Sequence, residues 1–133
     1  MDIKGVVHAL GDRFRSWLAV RGPKAVWKCL SVEWDDTTVR VRVLQGLDAE
    51  WNQEFPWIDI TRVCFVDGGI LLSDIVLLDI RGREKAATVL TEAQGGAEFL
   101  TELVKRGLFP PSVFQKAITS SDGGTYCWPP TQV

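Results

Sequence analysis

The chain has one histidine, one methionine and one tyrosine, and only three cysteines, among its 133 residues. A lone His8 cannot supply a cluster of imidazole metal ligands. Its place on the less apolar face of the first segment fits a solvated residue better than a catalytic one. Cys29, Cys64 and Cys127 are odd in number and far apart, whereas zinc knuckles need close pairs and secreted disulfide scaffolds an even set. Reduced thiols in a cytoplasmic protein are therefore expected. Charge of one sign is also lacking: 15 basic and 17 acidic residues leave a net charge of -2, which points to neither nucleic acid nor an anionic membrane as an obligatory partner. Long hydrophobic runs are missing too, since segments such as Ile75 to Leu78 are far too short to span a bilayer. The opening MDIKGVVHAL has an early Asp2 and its apolar stretch is soon broken, so no secretory leader is expected. No H-E-x-x-H, G-x-S-x-G, Walker or dinucleotide glycine pattern occurs, and neither a cofactor nor a metal is expected.

What is present suits a globular protein. Apolar residues make up 46% and charged residues 24%, enough to close a core in one domain of this length. Residues 1–133 read as a single α+β domain. Ile3, Val6, Val7, Leu10, Phe14, Trp17 and Leu18 recur at helical spacing, predicting an amphipathic helix that Asp2 caps and Gly22-Pro23 ends. A hairpin follows, with Val26, Leu30, Val32 and Trp34 on one face of an extended segment and Val39, Val41 and Val43 on the same side of the next. A two-residue turn at Asp35-Asp36 pairs Val32 with Val39 and Leu30 with Val41. Asp-Asp is not a favoured turn dipeptide, which leaves a four-residue loop as the alternative.

Residues 45–56 lose the period and read as a loop with, at most, a helical turn. Strands are expected at 61–66, at 70–80 with a bulge near Ser73-Asp74, and at 85–91. Turns at Asp67-Gly68-Gly69 and Arg81-Gly82-Arg83 separate them. Phe99, Leu100, Leu103 and Val104 mark a helix that stops at Gly107, and Pro110-Pro111 opens a second. The glycine-rich end, 120–133, reads as a flexible or capping tail. The order is an N-terminal helix, a roughly five-stranded antiparallel meander and two C-terminal helices.

Between Trp57 and Leu103 the pattern Trp57, Ile60, Val63, Asp67, Gly69, Ser73-Asp74, Leu77, Thr91-Glu92, Gly95-Gly96, Phe99 and Leu103 resembles small bacterial proteins with a pleckstrin-homology-like sheet. It is also similar to immunity proteins encoded beside polymorphic toxins. The resemblance implies a PH-like half-barrel and a scaffold for binding proteins, not a site. Such domains bind phosphoinositides through basic residues in the first hairpin loop. That loop here is Asp35-Asp36-Thr37, which argues against phosphoinositide binding.

The candidate residues are few. Arg40 and Arg42 form a basic stripe on the outer face of a strand, which Arg62 extends if the next strand pairs nearby. A nucleic-acid reader would need interleaved aromatics and a basic domain; Trp27 supplies one ring, the net charge opposes the idea, and Glu33 near Arg40 offers a plain salt bridge. Cys29, read on the outer face beside Arg42, is the thiol whose pKa a cation would lower, while Cys64 between Val63 and Phe65 reads as core. Asp67 and Asp74 flank a glycine turn and can approach each other, in a divalent-ion site or in ordinary turn hydrogen bonding. Gly95-Gly96 at a helix start is a weak anion receiver.

Six tryptophans are the marked excess. Trp17 and Trp34 read as core. Trp27, Trp51, Trp57 and Trp128, with Tyr126, fall in loops, strand edges or the tail, where aromatic residues act as binding anchors. These observations favour a non-enzymatic protein-binding module, an immunity or regulatory adaptor protein with an exposed patch around Trp51, Trp57 and Trp128, partnered by another protein or by a second copy. The alternative is a small-molecule or lipid carrier with a tryptophan-lined pocket. An enzyme ranks third.

Overall fold

The computed structural model describes residues 24–68, 74–119 and 123–130. The expected helix over residues 3–18, with Trp17, and the expected bulge at Ser73 lie outside the described residues. The chain is α+β, with two antiparallel sheets and three helices among those residues.

Helix α1 (Lys24–Cys29) runs straight into strand β1 (Leu30–Trp34). The extended reading of residues 26–29 is thereby corrected. Val26 and Leu30, four apart, share a face in either a helix or a strand, so that pair could not decide between them. Cys29 decides, because only a helix places it beside Val26: both are buried, while Trp27 and Lys28 are exposed.

Strand β2 (Thr38–Val43) pairs antiparallel with β1, Trp34 opposite Val39 and Val32 opposite Val41. The four-residue loop is the one formed, two residues out of step with the two-residue turn. A slip of two keeps every side chain on its expected face. The loop closes on Asp35, whose Oδ1 accepts the Thr37 and Thr38 backbone N–H groups at 2.9 and 2.8 Å. These bonds, the Thr37 one first, together with the Arg40 guanidinium hold its carboxyl well below the usual carboxylate range.

Strand β3 (Gln53–Pro56) falls in the stretch expected to be a loop, just after a 3-10 turn at Ala49–Trp51. Glutamine, glutamate and proline carry no strand signal, and the segment is held by its edge position against β2 and by the fully buried Phe55. A second 3-10 turn, Trp57–Asp59, leads into β4 (Ile60–Val66), followed by β5 (Ile75–Ile80) and β6 (Ala87–Leu90). The tail is a strand as well: β7 (Thr125–Trp128) pairs with β4. Among the described residues, seven strands in two sheets, ordered β1-β2-β3 and β6-β5-β4-β7, thus replace the expected single sheet of about five.

Several hydrogen bonds tie the two sheets, among them one from the Arg83 side chain to the Glu54 carbonyl at 2.7 Å. Val32 N–H donates to the Gln94 carbonyl at 2.7 Å and Gln94 N–H to the Leu30 carbonyl at 2.9 Å. The Gln53 side chain does the same work between β3 and β6, donating to the Thr88 carbonyl and accepting its N–H. One core fills the space inside, with Phe55, Phe65, Phe99 and Phe109 among its largest fully buried side chains. Helix α2 (Gly96–Lys105) drives Phe99, Leu100 and Leu103 into it and ends at Gly107, where φ is +77. The Leu108 N–H then reaches the Leu103 carbonyl and the Gly107 N–H the Val104 carbonyl, which satisfies the last turn. Helix α3 (Pro111–Thr119) packs beside β7.

Candidate functional site

The sequence placed binding in aromatic anchors, and the structure separates them. Trp57 is buried: its ring stacks on Phe99 at 5.6 Å, its indole N–H donates to the Asp35 carbonyl at 2.9 Å, and the Arg106 guanidinium sits 4.0 Å above it. Trp34 also meets Phe99, tilted against it with ring centroids 5.8 Å apart. Trp57 therefore locks the β1–β2 loop to the end of α2 and cannot join an exposed patch with Trp51 and Trp128. Trp51 is half-buried in the 3-10 turn before β3, while Tyr126 and Trp128 lie on β7. Their aromatic surface is divided between different elements.

The basic stripe is likewise spent on neighbours. Arg40 bridges Asp35 at 3.1 Å and Glu54 at 2.9 Å, and Arg42 bridges Glu33 at 3.2 Å. Arg62 does not extend it, because β4 belongs to the other sheet, where Arg62 pairs across to Asp79. The shallow hollow of about 290 Å³ over this face is lined by Arg40, Val41, Arg42 and Asn52 to Glu54. Its arginines already have carboxylate partners.

Cys29 is buried at the end of α1, not exposed beside Arg42. Cys64 and Cys127 face each other across β4 and β7 in a disulfide, which corrects the expectation of reduced thiols throughout. Distance along the chain, 63 residues, hid the pairing; only the return of the tail to the sheet brings the two sulfurs together.

Asp67 and Asp74 do come together. Asp74 Oδ1 accepts the Gly68 N–H at 3.0 Å, and Asp67 Oδ2 accepts the Gly123 N–H at 3.3 Å. Burial first, then the charge and hydrogen bonding of Asp67 and the charge of Glu92, raise the Asp74 carboxyl above its ordinary value, against the opposing Gly68 bond. The pair organises turns: it joins the ends of β4 and β5 to the approach of β7. Among the described residues no three His, Cys, Asp or Glu side chains are placed to hold a metal ion.

Of the sequence-named anchors two are exposed, Trp128 at 41% on the edge strand β7 and Trp27 at 60% on α1, and Trp27 alone of the pair lines a groove. It forms one wall of an open groove of about 620 Å³, together with Lys28, the turn residues Thr91, Glu92, Ala93 and Gly95, and Ala97 and Glu98 at the start of α2. Backbone contacts set this shape. Gly95 has φ +78 and lies so close to the Val32 carbonyl that a Cβ would collide with it. The Gln94 side chain donates to the Trp27 carbonyl at 2.8 Å, clamping α1 to the turn. On the wall, one carboxylate oxygen of the half-buried Glu92, Oε2, has no hydrogen-bond partner among the described residues.

Sequence reasoning missed Lys28, Glu92 and Glu98. Only the Gly95-Gly96 pair hinted at them, and it was read as an anion receiver. The two carboxylates in the lining oppose that reading, since Lys28 is the single basic group beside them. A ring face, small apolar residues and charges of both signs in an open groove can seat a polypeptide segment. No residue pair there is arranged as nucleophile and base. Comparison of the chain with protein-family models, with curated proteins and with solved structures returned no match.

Proposed function

We propose that this protein is a non-enzymatic protein-binding module, of the kind an immunity protein or regulatory adaptor would be, and that a partner's segment seats in the α1–α2 groove. The exposed indole of Trp27 on the groove wall carries the reading. Tryptophan gives large contact area at small conformational cost and dominates interface hot spots. The rim beside it is polar, with Lys28, Glu92 and Glu98, as interface rims generally are.

The carrier alternative calls for an enclosed, tryptophan-lined cavity. Trp34 and Trp57 are instead packed on Phe99, and the groove at Trp27 has one indole and lies open. That arrangement favours a protein partner over a sequestered small molecule.

Native mass spectrometry of the protein purified from its own cell lysate tests the reading, run in parallel on wild type and Trp27→Ala. A stoichiometric protein that accompanies wild type and is lost from the variant supports it. A bound small molecule, or a protein retained equally by both, overturns the assignment to this groove.

A further inference from the structure

Strand β7 is a short edge strand with one strand partner, β4, and only Tyr126 and Cys127 of its four residues are half-buried. So little apolar burial holds a four-residue segment weakly against the conformational entropy of ordering it, ~1–2 kcal/mol per residue. Besides the packing of α3 beside it, two further ties compensate. One is the Cys64–Cys127 disulfide. The other is at Asp67, whose N–H donates to the Gly124 carbonyl at 2.9 Å while its Oδ2 accepts the Gly123 N–H.

We infer that the Cys64–Cys127 bridge is a redox-sensitive clasp, and that its reduction releases β7 from the edge of β4 while the rest of the fold stays formed. The two sulfurs differ in access. Cys64 is buried in the middle of β4, whereas Cys127 is half-buried on the outermost strand, next to the exposed Trp128. A dithiol reductant therefore enters at Cys127. Its thiolate attacks Cys127 Sγ, breaking the S–S bond, forming a mixed disulfide and expelling the Cys64 thiolate. The second thiol of the reductant then attacks the mixed disulfide and expels the Cys127 thiolate. The reductant leaves as its own disulfide, having given up two electrons, and its two protons pass to the two cysteines. Cys29 is buried at the end of α1 and takes no part.

The remainder of the four-stranded sheet does not depend on this strand. β5 lies between β4 and β6, and residues Ile75 to Leu78 and Ala87 to Leu90 are buried throughout. Release of β7 uncovers the hydrogen-bonding edge of β4 from Val63 to Val66, an edge that a strand from another chain can pair with.

The test is backbone NMR of the full chain, oxidised and after reduction with excess dithiothreitol, with Cys29→Ser as a control. Alkylation and mass analysis of the untreated protein come first and should find Cys64 and Cys127 linked; finding both thiols free overturns the inference. Reduction is expected to move the Tyr126, Cys127 and Trp128 amides to random-coil shifts and to abolish the cross-strand contacts between Cys64 and Cys127. Amides of β5 and β6 keep their dispersed positions. Retention of the β4–β7 contacts after reduction overturns the clasp. So does collapse of the whole spectrum, which would make the bridge a staple of the entire fold. The double variant Cys64→Ala/Cys127→Ala should reproduce the reduced spectrum, and a spectrum like that of the oxidised protein would likewise overturn the inference.

Discussion

The two sheets of this protein are stabilised differently. In the three-stranded sheet, β2 alternates: Val39 and Val41 point inward, while Arg40 and Arg42 lie outside in ion pairs with Asp35, Glu54 and Glu33. In the four-stranded sheet, β5 and β6 show no such alternation and are buried on both faces through Ile75 to Leu78 and Ala87 to Leu90. The first sheet has one face in water and spends its polar groups there. The second is buried on both faces at β5 and β6, and a covalent bond ties its edge strand β7 to β4. Burial on both faces removes the period-2 signature from a strand, which is why the inward face of β2 was readable in the first sheet, though its register with β1 was two residues out, while the second gave only approximate strand limits.

Substitutions sharpen this contrast. The largest effect is expected at Phe99, the side chain of α2 that meets Trp34 of one sheet and Trp57 at the start of the other. Phe99→Ala should destabilise the protein by ~3–5 kcal/mol, measured as a lowered urea midpoint. Hydrogen exchange should speed up in both sheets; a change confined to one would mean that they are not joined through this ring.

Removing the bridge comes next. Cys64→Ala/Cys127→Ala should cost ~2–4 kcal/mol of unfolding free energy, the usual range for a closed loop of many tens of residues, again read from urea denaturation. A cost near zero would show that the bridge does not stabilise the fold by constraining the unfolded chain.

A smaller, pH-dependent effect is expected at Asp74. A carboxyl raised in the folded protein contributes stability that is fully present below the ordinary carboxyl pKa and is lost as pH rises through the raised value. Asp74→Asn removes that loss and can still accept the Gly68 N–H. Its melting temperature should exceed that of wild type near neutral pH, with the gain shrinking towards about pH 3.5, just below the ordinary aspartate value. A gain independent of pH would mean that ionisation of Asp74 is not the cause.

The smallest change is expected on the outer face of the first sheet. Arg42→Ala breaks an exposed pair with Glu33, and pairs of this kind contribute about 0–1 kcal/mol. A loss well above that in a denaturation midpoint would place the outer face among the determinants of the fold.

The misses share a physical origin. Strand β3 was unreadable because an edge strand of four residues with one apolar side chain has no pattern of its own; β2 creates it through the Val39–Phe55 pairing. The expected aromatic patch failed at Trp57, whose position after a proline looked like a loop. Its burial depends on Phe99 and Arg106, both more than forty residues further along the chain. Trp27 is exposed, yet on a helix rather than a strand and with neighbours that come from the turn at residues 91–95.

The sequence alone determined whatever depends on near neighbours. This covers the inward and outward faces of β2, the turn at Arg81-Gly82, and helix α2 with its glycine stop. It also includes the proline start of α3. In each, the deciding contact lies within a few residues, so the period or the cap is visible in the chain. Tertiary structure decided the division into two sheets and the return of the tail as β7. The disulfide, the burial of Trp57 and the groove at Trp27 were settled there too. Each of these rests on contacts between segments tens of residues apart, such as Val32 with Gln94 and Cys64 with Cys127. No local propensity encodes such a contact, because its free energy comes from the partner surface that folding alone brings near.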